Sequence, residues 1–175
     1  MKSKEFWKEV IIDVCIAGAL ALALLFFIRP TVVKQTSMQD TLQPNDYLIV
    51  FKRAYVKETP QRGDIVVFKS DLVDEKGKAK LLVKRVIGLP GDEIVIEDGE
   101  VYINGEIYEE DYLKDGYTTG SLETTVPEGE YFVMGDNRLV SNDSRYEDVG
   151  NITVDDIMGK VVFRLFPLSS FGKVE

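Results

Sequence analysis

The sequence contains no histidine and a single cysteine, Cys15. Without histidine the chain lacks the imidazole base that activates most catalytic serines and cysteines. One cysteine cannot form an internal disulfide, and a chain with one thiol and no imidazole lacks the usual ligands of zinc. No carboxylate motif for another metal is present either, so we predict no metal site and no cofactor.

Positive charge is also scarce, with 21 lysines and arginines against 30 acidic residues and a formal net charge of -9. The acidic residues are spread through turns rather than gathered in a tail. Contacts with nucleic-acid phosphates require clustered lysine and arginine. We therefore predict that nucleic acid is not a partner.

Charge is nearly absent from residues 10–28, where Asp13 is the only charged residue. As an α-helix this segment would be about 28 Å long, close to the roughly 30 Å hydrocarbon core of a bilayer. A cleavable signal peptide is the competing interpretation, since three lysines precede the segment. No small-residue cleavage site follows it, which favours a retained membrane anchor.

This anchor divides the chain into a short N-terminus at 1–9, a transmembrane segment at 10–28 and one domain at 29–175. The domain is large enough for its own core. More lysines lie before the anchor than basic residues soon after it, which favours an N-terminus inside the cell.

Beyond the anchor, apolar and polar residues mostly alternate between turn residues, a pattern typical of antiparallel strands. Asp98-Gly99 and Asn104-Gly105 predict tight hairpins. We predict strands at 47–52, 65–69, around 84, 93–97, 131–134 and 159–166. Polar loops are expected at 70–80 and 109–125, and a short helical turn at 153–158. The predicted fold class is mainly β, an antiparallel β-sheet domain preceded by one N-terminal transmembrane helix.

Ser37 and Lys84 offer a catalytic pair that needs no histidine. A serine hydroxyl is a poor nucleophile until a neighbour takes its proton, and lysine can do so only as the neutral amine. Burial in an apolar pocket favours that form by lowering the lysine pKa. Lys84 lies between the apolar residues at 81–83 and 86–87. Taken alone, this stretch is more typical of an edge strand whose lysine reaches water.

Four ordered blocks of sequence extend this interpretation. They read Ser-Met-Gln-Asp-Thr-Leu at 37–42, Gly-Asp-Ile-Val-Val-Phe at 63–68, Lys-Arg-Val-Ile-Gly-Leu-Pro-Gly-Asp at 84–92 and Gly-Asp-Asn-Arg-Leu-Val-Ser-Asn-Asp-Ser-Arg at 135–145. Behind an apolar anchor, this order closely resembles the type I signal peptidases of bacteria, in particular the short single-anchor form of Gram-positive organisms. The resemblance implies a membrane-bound serine endopeptidase that removes N-terminal signal peptides from exported preproteins without a cofactor.

The resemblance also implies roles for the matching positions. Ser37 would be the nucleophile, Lys84 the general base, and Ser141 would orient the Lys84 amine. A structural charged scaffold beneath the site would consist of Arg85, Asp136, Asp143 and Arg145. Shallow pockets for small residues before the cut, for which ordinary core packing is the alternative interpretation, would be lined by Val33, Met38, Leu42, Leu82 and Val83.

The implied location is the cell membrane, with the N-terminus in the cytoplasm and the catalytic domain at 29–175 outside it. The implied partners are exported preproteins and membrane lipid. The nucleophile would lie close to the bilayer, because the nine residues from Ile28 to Ser37 span at most about 30 Å.

Two positions depart from the family pattern. Asp40 stands where the family usually has proline, and Gln35 where it commonly has glycine or serine. The resemblance implies that the backbone N–H of Ser37 would bind the oxyanion formed during cleavage. Which group would donate a second hydrogen bond to that oxyanion is left open.

Two other functions remain open. One is a self-cleaving Ser-Lys protein like the related repressors of the DNA-damage response, which the membrane anchor disfavours. The other is a catalytically silent membrane-anchored β-domain that binds exported proteins. The joint presence of Ser37, Lys84 and Ser141 disfavours that second alternative.

Overall fold

A computed structural model of the chain describes residues 2–39, 41–113 and 116–174, so Asp40 lies outside the described residues. One long helix, α1 (Lys2–Phe27), precedes a domain built mainly of strands. Along the described residues these are β1 (Ile28–Val32), β2 (Tyr47–Phe51), β3 (Ile65–Val73), β4 (Ala79–Gly88), β5 (Glu93–Glu97), β6 (Glu100–Ile103), β7 (Glu106–Ile107), β8 (Leu122–Thr125), β9 (Glu130–Met134), β10 (Ile152–Thr153), β11 (Ile157–Phe166) and β12 (Gly172–Lys173).

Helix α1 contains an apolar stretch, Phe6–Phe27, that is not buried inside the protein. By length and composition it is the one helix in the described part of the chain that can cross a membrane. The predicted anchor at 10–28 overlaps it but ends one residue later than the helix. Ile28 already belongs to β1, because its backbone pairs with Phe51 of β2.

The end of α1 is joined directly to the domain. The Lys52 backbone N–H donates to the Phe27 carbonyl at 2.8 Å, and Lys52 Nζ donates to the Leu25 carbonyl at 2.5 Å. The Arg53 guanidinium lies over the Phe26 ring, 5.0 Å from its centre. These contacts satisfy carbonyls of the last helical turn and place two cations at the negative end of the helix dipole.

The strands of the described residues form two sheets. The larger has eight strands in the order β1-β2-β11-β3-β4-β9-β10, with β12 paired to β11, and the smaller has the order β7-β6-β5-β8. Each pairing is antiparallel. The predicted fold class is thus confirmed. Because β4 lies between β3 and β9, Lys84 is not on an edge strand.

Alternation along β4 distributes its side chains between two apolar clusters. Leu82 and Val86 pack with Phe68 in one cluster, whereas Val83 packs against the other, which contains Val67. A third cluster joins β4 and β9 to β5 and β6 of the smaller sheet. Lys84 therefore projects from a strand that is packed against apolar side chains.

The predicted hairpins are confirmed. Asp98-Gly99 connects β5 to β6 and Asn104-Gly105 connects β6 to β7. These residues have φ of 50°, 90°, 54° and 82°, the left-handed values that such two-residue turns require. Strands β2, β5, β9 and β11 lie within two residues of their predicted positions, and the predicted helical turn is a 3-10 turn at Val154–Asp156.

Two predicted loops are wrong in part. Strand β3 continues to Val73, which pairs with Ala79 of β4, so much of the 70–80 segment is a hairpin. Strand β8 lies within the segment 109–125 and pairs with β5. Both strand sections are rich in polar residues. The end of β3 pairs with the start of β4 and β8 pairs with β5, and this pairing makes them strands despite their many polar residues.

Candidate active site

The side chains of Ser37 and Lys84 meet, with Lys84 Nζ 2.6 Å from Ser37 Oγ. Only 1% of Lys84 is exposed. Burial penalises the ammonium and lowers the pKa of Lys84 to about 8. The Asp143 carboxylate opposes this shift, Arg145 adds to it and Asp136 opposes it. A substantial fraction of neutral amine is therefore present beside the hydroxyl at mildly alkaline pH.

Ser37 is carried by a turn that core side chains hold in place. The Gln39 backbone N–H donates to the Thr36 carbonyl at 3.1 Å, and the Leu42 N–H donates to the Met38 carbonyl at 2.7 Å. Met38 and Leu42 are buried in the apolar cluster of β2 and β3. Ser37 itself remains half-buried at the rim of that core.

The segment after β9 packs against this turn. The Asn137 backbone N–H donates to the Ser37 carbonyl at 3.0 Å, and its side-chain amide donates to the Thr36 carbonyl at 3.2 Å. A Cβ at Gly135 would overlap the Ser141 hydroxyl and the Ser37 carbonyl oxygen. Glycine is therefore needed at 135 for this close approach.

Ser141 is buried beside this contact. Its backbone N–H donates to the Asn137 carbonyl at 3.0 Å, which fixes the residue in the loop. Its hydroxyl has no hydrogen-bond partner among the described residues. Buried hydroxyls without a partner are uncommon, so this one is available to another group of the site.

Two buried ion pairs fasten the segment after β9. Arg85 of β4 binds Asp136 at two points, Nε to Oδ1 at 3.0 Å and Nη2 to Oδ2 at 2.8 Å. Arg145 binds Asp143 in the same way, at 2.8 and 3.0 Å. Asp143 also accepts the Gly135 N–H at 3.0 Å. Such two-point contacts compensate part of the cost of burying charge.

The carboxylates of the site are thus bound to arginines. Asp136 faces Arg85 and Asp143 faces Arg145. Nowhere in residues 2–39, 41–113 and 116–174 are three histidine, cysteine or acidic side chains grouped so that they could hold a metal ion.

Comparison with known proteins matches this chain to the family model of signal peptidase, peptidase S26, over residues 4–166. The chain belongs to the signal peptidase family. Similar proteins include the probable signal peptidase I-1 of Synechocystis sp., 38% identical over 174 residues that cover 97% of this chain and 88% of that protein. Signal peptidase I U of Bacillus subtilis is 36% identical over 183 residues, 99% of this chain and 93% of that protein.

A solved structure supports the same assignment. The crystal structure of a signal peptidase I from Enterococcus faecalis V583 is 36% identical, with a TM-score of 0.50, over 59% of this chain and 97% of that chain. The resemblance drawn from the sequence motifs is confirmed. Family membership assigns the chain the activity of a serine endopeptidase of the signal peptidase I type.

In this signal peptidase, the five residues predicted to line the substrate pockets divide between two clusters. Val33, Met38 and Leu42 are buried in one cluster, against which Val83 packs. Leu82 is buried in the other cluster, because consecutive residues of a strand point to opposite faces.

Sequence reasoning gave no role to Arg138, which is buried beside the site. Its guanidinium donates to the Gly135 carbonyl at 3.1 Å and to the Thr118 hydroxyl, and it forms a two-point contact with the Glu110 carboxylate. Arg138 therefore links the segment after β9 to a distant part of the chain.

That distant part also supplies Tyr112, whose ring centre lies 3.8 Å from the Arg85 guanidinium carbon. Glu110 and Tyr112 belong to the segment predicted as a polar loop, so no periodicity indicated their position. Asn137 and Gly135 lie in a block that the motif comparison included, but their contacts with the Ser37 turn appear only in the fold.

Gln35, which stands where the family commonly has glycine or serine, has an exposed side chain. Its amide forms no hydrogen bond with any described residue. Among the described residues, nothing therefore competes for this amide.

Proposed function

We propose that this chain is a membrane-anchored signal peptidase in which Ser37 is the nucleophile and Lys84 the general base. The observation that carries the proposal is the 2.6 Å contact between Ser37 Oγ and the amine of a lysine buried in a β-sheet. Family membership supplies the substrate class, the signal peptides of preproteins. We assign exported preproteins with small residues before the cut as substrates, and no cofactor is required.

The first half of the reaction is transfer of the signal peptide to Ser37. Neutral Lys84 takes the hydroxyl proton as Ser37 Oγ attacks the scissile carbonyl carbon. The carbonyl oxygen becomes an oxyanion beside the Ser37 backbone N–H, which donates to no described residue and so can bind it. The Lys84 ammonium then gives its proton to the departing amine of the mature protein.

The second half releases the signal peptide from its ester with Ser37. Lys84, neutral again, takes a proton from a water molecule whose oxygen attacks the ester carbonyl carbon. The ester bond breaks, and the proton held by Lys84 returns to Ser37 Oγ. The enzyme is then ready for another preprotein.

The surroundings of Lys84 support this role. The buried Ser141 hydroxyl, without a partner among the described residues, would bind the Lys84 amine and orient it towards Ser37. The Arg85–Asp136 pair would hold β4 against the segment that carries Ser141, and the Arg145–Asp143 pair would hold that segment in its own conformation. Their role is structural, because their carboxylates are already bound to guanidinium groups.

The pocket residues remain part of the proposal. Val33, Met38 and Leu42 lie in the cluster that also contacts Val83, on the side of the Ser37 turn. Leu82 lies two residues before Lys84 and so points to the same face of β4. Because the two groups lie on opposite faces of β4, they would line separate shallow apolar pockets that accept small side chains and exclude large ones.

Helix α1 would anchor the protein, with the N-terminus in the cytoplasm and the domain at 29–175 outside. Its apolar stretch is unburied and long enough to span a bilayer. Exposed apolar side chains, Phe166, Leu168 and Phe171, offer a further contact with lipid. Phe166 packs edge-on against Tyr47 of β2, the strand beside β1, so these side chains lie near the strand that leaves the helix.

The test is incubation of the detergent-solubilised full chain with a preprotein that carries an Ala-x-Ala site. We expect cleavage after the second alanine, and its loss in both Ser37→Ala and Lys84→Met. A suitable control is Lys69→Met, because Lys69 is an exposed lysine on the neighbouring strand β3. Its activity should equal that of the unchanged protein.

Two results would contradict the proposal. Activity that survives in Lys84→Met would remove lysine as the base. A folded unchanged protein that binds the preprotein without cleaving it would instead support the catalytically silent domain.

A further inference from the structure

The peptide unit between Thr36 and Ser37 is held from one end. Its carbonyl oxygen accepts hydrogen bonds from the Gln39 backbone N–H at 3.1 Å and from the Asn137 side-chain amide at 3.2 Å. A trans peptide is planar, so its N–H points opposite to its C=O. The direction of the Ser37 N–H is therefore set by what holds the Thr36 carbonyl.

Asn137 also holds the next peptide unit. Its backbone N–H donates to the Ser37 carbonyl at 3.0 Å, so one residue binds the carbonyls on both sides of the nucleophile. Asn137 is itself fixed, since its own carbonyl accepts the Ser141 N–H at 3.0 Å. The absence of a side chain at Gly135 allows this close packing.

The Ser37 N–H, in contrast, makes no hydrogen bond within the described part of the chain. A donor that is oriented in advance and has no ground-state partner suits an oxyanion, because little reorganisation is needed when charge develops. The Asn137 amide is uncharged, so its effect on this donor is separate from the charge state of Lys84.

We infer that Asn137 is a positioning residue whose side-chain amide, bound to the Thr36 carbonyl, aims the Ser37 N–H at the oxyanion of the reaction. The inference rests on the proposed function. It adds a specific task to an uncharged residue that forms no hydrogen bond with Lys84 within the described part of the chain.

The test compares Asn137→Ala with Asn142→Ala in the full chain in detergent. Asn142 is an exposed residue of the same loop, and its amide donates to Asp148 at 2.9 Å, away from the Ser37 turn. In Asn137→Ala we expect kcat to fall about tenfold, less than the roughly 100-fold or more for loss of an oxyanion donor, because the Gln39 contact remains. KM and the apparent pKa of the reaction should not change.

A peptide aldehyde that matches the residues before the cut gives a second measurement. Its adduct with Ser37 carries an oxyanion like that of the transition state, so its affinity should fall by the same factor as kcat. The affinity of the corresponding peptide alcohol, which forms no adduct, should stay constant. Asn142→Ala should change neither affinity.

A third measurement needs no activity. The residual dipolar coupling of the Ser37 N–H reports the orientation of the peptide plane and should change in Asn137→Ala but not in Asn142→Ala. If the coupling in Asn137→Ala equals that in the unsubstituted protein, the inference is overturned, whether or not the protein is active. Failure of the unsubstituted protein to cleave any preprotein would count against the proposed function instead. Equal losses of kcat in the two variants would also overturn it, as would a loss in Asn137→Ala accompanied by a shifted pH profile.

Discussion

The pH dependence of cleavage tests the central chemical step, because only neutral Lys84 can take the proton of Ser37. Burial lowers the pKa of Lys84 from 10.5 to about 8, which corresponds to about 3 kcal/mol of bias against the ammonium. With that pKa, roughly 1% of the amine is neutral at pH 6, about half at pH 8 and nearly all at pH 10. We expect kcat/KM for a preprotein to rise about 50-fold from pH 6 to pH 8 and only about twofold beyond.

The assay is cleavage of a preprotein with an Ala-x-Ala site by the solubilised chain, at constant ionic strength. Lys69→Met should give the same curve, since Lys69 is exposed on β3. Nuclear magnetic resonance of lysine Cε in Ser37→Ala, compared with Ser37→Ala/Lys84→Met, would assign the titration to Lys84. A flat profile between pH 6 and 9, or a midpoint near 10.5, would refute lysine as the base.

Three further predictions concern packing and stability. Gly135→Ala places a methyl group against the turn of the nucleophile, so the rate of preprotein cleavage should fall at least tenfold. A rate equal to that of the unsubstituted protein would contradict this contact. Glu110→Gln removes the charged partner of buried Arg138 and should lower the free energy of unfolding by about 2 kcal/mol. Urea denaturation measures this difference, and the control Glu109→Gln, at an exposed residue, should have no effect. The pKa of Lys84 is lower in the folded protein than in the unfolded chain, so the unfolded chain binds this proton more tightly. Relative to Lys84→Met, the unsubstituted protein should therefore gain about 3 kcal/mol in its free energy of unfolding as pH rises from about 8 to about 10.5. A stability difference between the two proteins that does not depend on pH would exclude the pKa shift.

Much of the fold was predictable because its signals are local. The hairpins at Asp98-Gly99 and Asn104-Gly105 follow from residues that tolerate positive φ, and the apolar helix follows from a long run without charge. Strand β8 was missed, because its polar sequence forms a strand only by pairing with β5. Strand β1 was not predicted, and its pairing with β2 appears only in the fold.

The candidate site was predictable as a set of residues, through ordered motifs rather than through any local pattern. The motifs assigned Arg85 and Asp136 to a charged scaffold, and the fold brings them together as a buried pair. They gave no indication of Glu110, whose contact with Arg138 joins segments that are 28 residues apart. Such a contact depends on how the two sheets meet, which neither segment encodes alone.

The sequence by itself determined which chemistry is possible. A chain without histidine must use another base for a serine nucleophile, and its apolar N-terminal segment and ordered motifs place it among the signal peptidases. Tertiary structure alone decided that the Lys84 amine lies 2.6 Å from Ser37 Oγ and is withdrawn from water. The physical reason is that a pKa depends on the groups packed around an amine, and here those groups come from segments far apart along the chain.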